Sequence, residues 1–276
     1  MKSNSKKFYG CSQGRLIKPY NGELQCFPKN KWKEEFNLAK DCGLSYIELL
    51  AEEVHNFDNP IWSRNGINNL NSIIKKNNLI PYSICFDFAI NNSIFDLNNY
   101  SKNQNYIKNF VMAVHKINIK LIILPLLKKS NFESYERGMV IKILKTILDE
   151  CRSFNIEIAI ESISDSINIC DLLESLNDSN IGCVYDTGNR FSIGKPKEEI
   201  LKLSKHIKHI HLKDKRNSLN VPIGTGEVDF IEIFESLKTI KYERYFNFET
   251  NRGNDPISTM KHNIKYIEFI RDQINF

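Results

Sequence analysis

No apolar run in this 276-residue chain approaches the roughly 20 residues that cross a bilayer, so a membrane partner is not expected. The seven cysteines (Cys11, Cys26, Cys42, Cys85, Cys151, Cys170, Cys183) are dispersed, odd in number and free of any CxxC pair. That spacing argues against a disulfide framework and against a thiolate zinc site; a reduced thiol in an apolar pattern is a small hydrophobe. Basic blocks are missing too. The net charge of +5 comes from 38 basic and 33 acidic residues spread along the chain, which gives nucleic-acid binding no support. The opening "MKSNSKKFYG" is basic, but no apolar core follows it, so it is not a secretory leader and a cytoplasmic location is expected. A GxGxxG turn after the first strand is absent, and "GCSQGRL" does not replace it. No linker rich in Pro, Gly or Ser divides the chain, so residues 1–276 read as a single domain.

What is present is one pattern, repeated. Short apolar runs recur as "FYGCS" (8–12), "SYIELL" (45–50), "IPYSICF" (80–86), "IKLIILPL" (119–126), "IEIAIES" (156–162), "IGCVYD" (181–186), "IKHIHLKD" (207–214) and "YFNFET" (245–250). Each is bounded by polar or turn residues and too short for a buried helix. Helical spacing fills the intervals. "NKWKEEFNLAKDCG" ends on a glycine suited to the position after a helix. "ERGMVIKILKTILDECRSF" puts Val140, Ile143, Leu144, Ile147 and Leu148 on one face. "DPISTMKHNIKYIEFIRDQ" opens on Asp-Pro, a helix-start signal. Eight strands alternating with about eight helices imply a parallel sheet covered by helices, and the number fits a closed (β/α)8 TIM barrel.

In such a barrel the active site lies at the carboxyl ends of the strands. Side chains alternate along a strand, so parity selects those that point inward. It brings Glu161 inward above Ala159, Asp186 above Val184, His211 above His209, and Glu249 above Asn247 and Tyr245. Taken singly, each has an ordinary explanation: an acid at a strand end caps the next helix or pairs with a lysine, and a lone histidine is usually a satisfied core residue. Four in phase on four successive strands point to a metal. Three carboxylates in one mouth repel one another, and a divalent cation removes that conflict. Oxygen ligands with one imidazole suit Mn2+, Mg2+ or Co2+, with Zn2+ a further candidate. A cation with open positions can polarise a substrate carbonyl, and facing carboxylates can exchange protons with the carbon between them.

"VYDTGN", "HIHLKD", "PIGTGEVDF" and "FNFET", in this order after "IAIES", resemble the sugar isomerase/epimerase superfamily of xylose isomerase-like TIM barrels. The resemblance implies metal ligands Glu161, Asp186, His211 and Glu249, with Glu161 and Glu249 as the catalytic base and acid. Many members carry histidine three residues after the aspartate; here the residue is Asn189, as in some sugar-phosphate epimerases. Endonuclease IV-like zinc clusters need more strand-end histidines, whereas His55, His115, His206 and His262 fall in loops or helical patterns.

Candidate substrate contacts are Arg15 after the first strand, which could hold a phosphate or carboxylate, Glu48 at the end of the second, which could reach a substrate hydroxyl, Asn189, and Lys213 and Arg216 beyond the seventh, which could bind an anionic substrate. A surface salt bridge is the alternative for Arg15, pairing with a lysine for Glu48, and a solvated loop for Arg216. Asp214 is read as orienting Lys213 or a ligand, and Asp229 as a helix N-cap. The function expected is a divalent-metal-dependent isomerase or epimerase of a small sugar or sugar phosphate. The competing readings are a dehydratase of a keto-polyol such as an inosose, and a non-catalytic sugar-binding barrel. A homodimer through the outer helices is a further expectation that no sequence patch localises.

Overall fold

The computed structural model describes residues 9–18 and 23–276; Phe8, where the first strand was expected to begin, and the basic amino-terminal stretch before it lie outside them. Eight parallel strands close into a barrel: β1 (Tyr9–Ser12), β2 (Tyr46–Ala51), β3 (Ser83–Phe86), β4 (Leu121–Pro125), β5 (Glu157–Glu161), β6 (Ile181–Asp186), β7 (Ile207–Leu212) and β10 (Phe246–Phe248). All eight expected runs become these strands, in the expected (β/α)8 order. Between β7 and β10 the chain adds a short antiparallel hairpin, β8 (Asp214–Arg216) and β9 (Leu219–Val221), which strand alternation did not foretell.

Helices α1 (Trp32–Asp41), α2 (Arg64–Lys76), α3 (Phe88–Asn91), α4 (Tyr100–Ile117), α5 (Arg137–Arg152), α6 (Ser166–Leu176), α7 (Pro196–Leu203), α8 (Phe230–Thr239) and α9 (Pro256–Ile274) fill the connections. Local chemistry sets their ends. Gly43 follows α1 with φ +76, a conformation that favours glycine. The Asp255 side chain accepts from the backbone N–H groups of Ile257 and Ser258, with Pro256 in the first turn of α9. The expected face of α5 (Val140, Ile143, Leu144, Ile147, Leu148) is buried throughout. All seven cysteines are free thiols. Among the described residues, no helix is long and apolar enough to cross a membrane.

Strand parity divides the core in two. Outward residues such as Ile158, Ile160, Ile210, Leu212, Phe246 and Phe248 join the large cluster under the helices. Inward residues Leu50, Cys85, Leu121, Ile123, Ala159 and Val184 make a small apolar layer inside the barrel. At the amino-terminal mouth Glu157 is ion-paired with Lys208 and with Arg244, at 2.7 Å to the latter. Just inside, Tyr46 packs edge to face on Tyr82 and Tyr245, which are tilted against each other, with centroids 4.4–5.6 Å apart. That end is plugged, which leaves the carboxyl-terminal mouth for chemistry.

Candidate metal centre

Glu161 ends β5, Asp186 ends β6, His211 is next to last on β7, and Glu249 follows β10, its N–H bonded to Leu212 O at 3.1 Å. The four strands are neighbours in the barrel wall. Each residue offers a ligand atom within 4.8 Å of the others, three of the residues being fully buried and Glu249 half-buried. Such spacing and a hard, oxygen-rich donor set fit a divalent cation, and these groups could hold one.

The neighbours explain how so much charge is tolerated. The Lys213 ammonium lies 2.9 Å from Asp186 Oδ2 and 3.1 Å from Glu249 Oε2, itself buried. Burial alone would lower Lys213, but Asp186, Glu249 and Glu161 outweigh it and hold the lysine above its ordinary range. Gly188 makes room for this side chain, since a Cβ there would meet Lys213 Cγ at 2.8 Å. Asp186 Oδ1 accepts from the backbone N–H groups of Gly188 (2.9 Å) and Asn189 (2.8 Å), so "DTGN" folds back on its own aspartate.

The two glutamates differ. Burial, reinforced by Glu249, pushes Glu161 up to about 8. Burial acts on Glu249 in the same direction, but Lys213, His211 and Arg15 outweigh it and hold this carboxyl well below the usual range. Asn189 Nδ2 donates to Glu161 Oε1 at 2.9 Å, so the asparagine that replaces the more common histidine grips a candidate ligand.

His211 Nδ1 is 2.9 Å from Glu249 Oε2, and its Nε2 is 3.1 Å from Glu48 Oε1 but outside hydrogen-bond geometry. Burial opposes a charged imidazole, yet Glu48 and Glu249 on its two sides hold His211 well above its ordinary range. His209 lies one layer down, as expected, with Nε2 3.1 Å from Glu48 Oε2.

Glu48 corrects the sequence reading. It is not at the strand end, because β2 continues to Ala51, and its partners are not lysines. It sits among His209, His211, Ser83 (2.8 Å) and Asn247 (3.0 Å). Burial works against its charge, but the histidines dominate and pull it to about 2.

Arg15 is buried rather than in a surface salt bridge; its Nη2 is 2.7 Å from Gln25 Oε1 and 3.5 Å from Glu249 Oε1, while its Nε has no partner. Arg216 takes the solvated-loop alternative: it is exposed on the hairpin and donates to Thr225 O. Asp214, read as orienting Lys213 or a ligand, spends its carboxylate on the backbone instead. Its carboxylate accepts from the backbone N–H groups of Lys215, Gly224, Gly226 and Val228 at 2.8–3.2 Å, which shapes "PIGTGEVDF". Asp229 caps α8 through Glu232 N–H, as expected.

Several supporting residues escaped the sequence reading. Arg190 makes a two-pronged pair with Glu199 (2.6 and 2.8 Å) and donates to the carbonyls of Ser162 and Ser164, tying the loops after β5 and β6 together. Glu35 accepts from the N–H groups of Gly14 and Leu16, and Arg252 donates to Gly14 O, fixing the loop that carries Arg15. Asp87 directly follows β3; the strand-end rule, applied to "SICFD", would have found it.

Above these groups opens a cavity of about 190 Å3, with Arg15, Glu48, Glu161, Asn189, His211 and Glu249 in its lining. A larger hollow of about 470 Å3, lined in part by Lys18, Phe27 and Asn56, includes none of the four candidate ligands.

A sequence profile of the xylose isomerase-like TIM barrel matches residues 36–271. The chain belongs to that family. Curated relatives match it in part. An inosose dehydratase of Clostridium botulinum is 30% identical over 125 residues, 37% of this chain and 42% of that protein. An uncharacterised protein of Methanocaldococcus jannaschii is 23% identical over 144 residues, 48% of this chain and 49% of that protein. The chain therefore spans about half the length of the curated relatives it matches. Among solved structures, a xylose isomerase domain protein from Planctomyces limnophilus superposes with TM-score 0.77 at 14% identity, covering 98% of this chain and 99% of its own. A D-allulose 3-epimerase from Methylomonas sp. gives TM-score 0.76 at 13% identity, covering 96% and 98%. A xylose isomerase-like barrel from Mycobacterium smegmatis in complex with magnesium gives TM-score 0.70 at 15% identity, covering 94% and 95%. These likenesses are of fold.

Proposed function

We propose that this xylose isomerase-like barrel is a divalent-metal-dependent isomerase or epimerase of a small sugar, moving a proton on the carbon beside a carbonyl. The observation that carries the reading is the set Glu161, Asp186, His211 and Glu249, mutually within 4.8 Å, three of them buried, with Glu161, His211 and Glu249 lining a cavity of about 190 Å3. That volume equals roughly six liquid-water volumes, the scale of one monosaccharide. The epimerase and magnesium-bound relatives support it.

A divalent cation held by these four residues would polarise the substrate carbonyl and offset the charge that develops on its oxygen. The protein's part is proton handling. Glu249, kept ionised by Lys213, His211 and Arg15, takes the proton from carbon. Glu161, buried and held by Asn189, returns one. Lys213 keeps Asp186 and Glu249 in place, and Glu48 holds the inner side of His211.

Incubation with ketoses in deuterated water and Mn2+ should load deuterium next to the carbonyl, and Glu161→Gln or Glu249→Gln should each abolish that exchange. Full exchange in both variants would remove these roles. The match to inosose dehydratase favours a second reading, in which the same intermediate expels a hydroxyl. Mass spectrometry separates the two, since only the lyase product has lost water.

A further inference from the structure

We infer that Asp87 is a specificity-determining residue of this site, accepting a hydroxyl of an uncharged sugar and turning phosphorylated sugars away. The inference rests on the proposed reaction and narrows its substrate class. β3 stands directly across the barrel from β7, so Asp87 faces the candidate metal centre from the opposite wall. It lines the cavity and is 4% exposed. Its carboxylate is already held: Cys85 Sγ–H donates to Oδ1 at 3.0 Å, and the nearby Gln25 amide favours its charge. Gln25 in turn accepts from Arg15 at 2.7 Å, so the loop after β1 and the end of β3 meet at this amide.

Charge identifies what this wall accepts. Glu48, Glu53, Asp87, Glu161 and Glu249 line the cavity, and among the described residues Arg15 is the sole lysine or arginine in its lining. Arg15 is occupied by Leu24 O, Gln25 and Glu249; Lys213, just behind, is occupied by Asp186 and Glu249. Both cations are thus engaged within the protein, and a bound divalent ion would leave carboxylates in excess; the further ammonium beside this lining, Lys215, already donates to Asn189 Oδ1 at 3.4 Å. Burial pushes Asp87 up to about 6, so it remains mostly ionised at neutral pH. A carboxylate accepts strongly from a hydroxyl and opposes a phosphate dianion. The Nε–H of Arg15, buried and unpartnered, is a donor suited to a sugar oxygen.

The test titrates Mn2+-loaded protein by calorimetry with D-fructose, D-tagatose, D-allulose and L-sorbose, and with the 1- and 6-phosphates of fructose and tagatose. At least one free ketose should bind, and each phosphate should bind at least ~10-fold more weakly than its parent sugar. Asp87→Asn should weaken the free ketose by roughly 10- to 100-fold and narrow the gap to the phosphates. Asp87→Glu, which keeps the charge but moves it, should weaken the ketose without narrowing the gap; thermal melts confirm that both variants fold. Tighter binding of a phosphate, unchanged ketose affinity in Asp87→Asn, or no binding of any free ketose would overturn the inference. Deuterium exchange in the same samples reports separately on the reaction: turnover confined to phosphates sinks the role of Asp87 alone, whereas ketose binding without exchange sinks the reaction alone.

Discussion

Arg190→Met should lower the stability of the whole barrel by about 4 kcal/mol, because it strands a buried charge. Arg190 and Glu199 are 1% and 4% exposed, and the guanidinium also satisfies the carbonyls of Ser162 and Ser164. Without it, Glu199 must stay ionised without a partner or take up a proton, and two buried carbonyls lose their donor. For a chain of 276 residues the unfolding entropy is roughly 0.6 kcal/mol/K, so the midpoint should fall by about 7 °C. Circular dichroism melts at pH 7 measure this directly. Adding Glu199→Leu removes the stranded acid, so the double variant should recover most of the loss. A single variant that melts within about 2 °C of the parent, or a double variant no better than the single, would show that the pair is not the brace its geometry implies. The pair also fixes the two loops beside Glu161 and Asn189. Mn2+ affinity of the folded Arg190→Met protein should therefore fall as well, by roughly 10-fold or more.

Two further outcomes follow from other parts of the structure. Burial pushes Glu35 up to about 7, against Arg252 and Arg15 and the Gly14 and Leu16 N–H groups, which favour its charge. A carboxyl raised in the folded state binds its proton more tightly there than in the unfolded chain. Its contribution is thus complete below the ordinary value of 4.5 and is lost as pH rises to about 7, an effect of about 3 kcal/mol. In Glu35→Gln the fall in stability between pH 5 and pH 7 should flatten; an unchanged slope in denaturant titrations would assign it to other groups. Asp214→Ala removes the acceptor of four backbone N–H groups, so hydrogen exchange at Gly224, Gly226 and Val228 should rise by roughly 10-fold or more while the barrel strands stay protected.

The barrel could be read from the chain because its two periodicities are local. Eight apolar runs separated by helical spacing leave few architectures, and alternation within a run tells inward from outward. This is why Glu161, Asp186, His211 and Glu249 could be named from the chain alone, and the closed barrel brings their ligand atoms together. Glu48 shows where such reading fails. Its run reads on to Leu50, yet Glu48, two residues earlier, is placed at the strand end, and its histidine partners lie some 160 residues away along the chain. The hairpin escaped because three-residue strands carry too little pattern to register.

What the amino-acid order determined by itself is the repeating unit, the handful of inward positions at each strand end, and hence the presence of an acid-rich mouth. Spacing of 2 and of 3.6 residues is written in the covalent chain. Only closure of the barrel decided which charges meet: Lys213 between Asp186 and Glu249, Glu48 between two imidazoles, Arg190 on Glu199, and Asp87 across from β7. These pairings depend on register and on distances across the barrel interior, where low polarisability makes a few ångströms decide whether a charge is stabilised or stranded, and no local pattern encodes them.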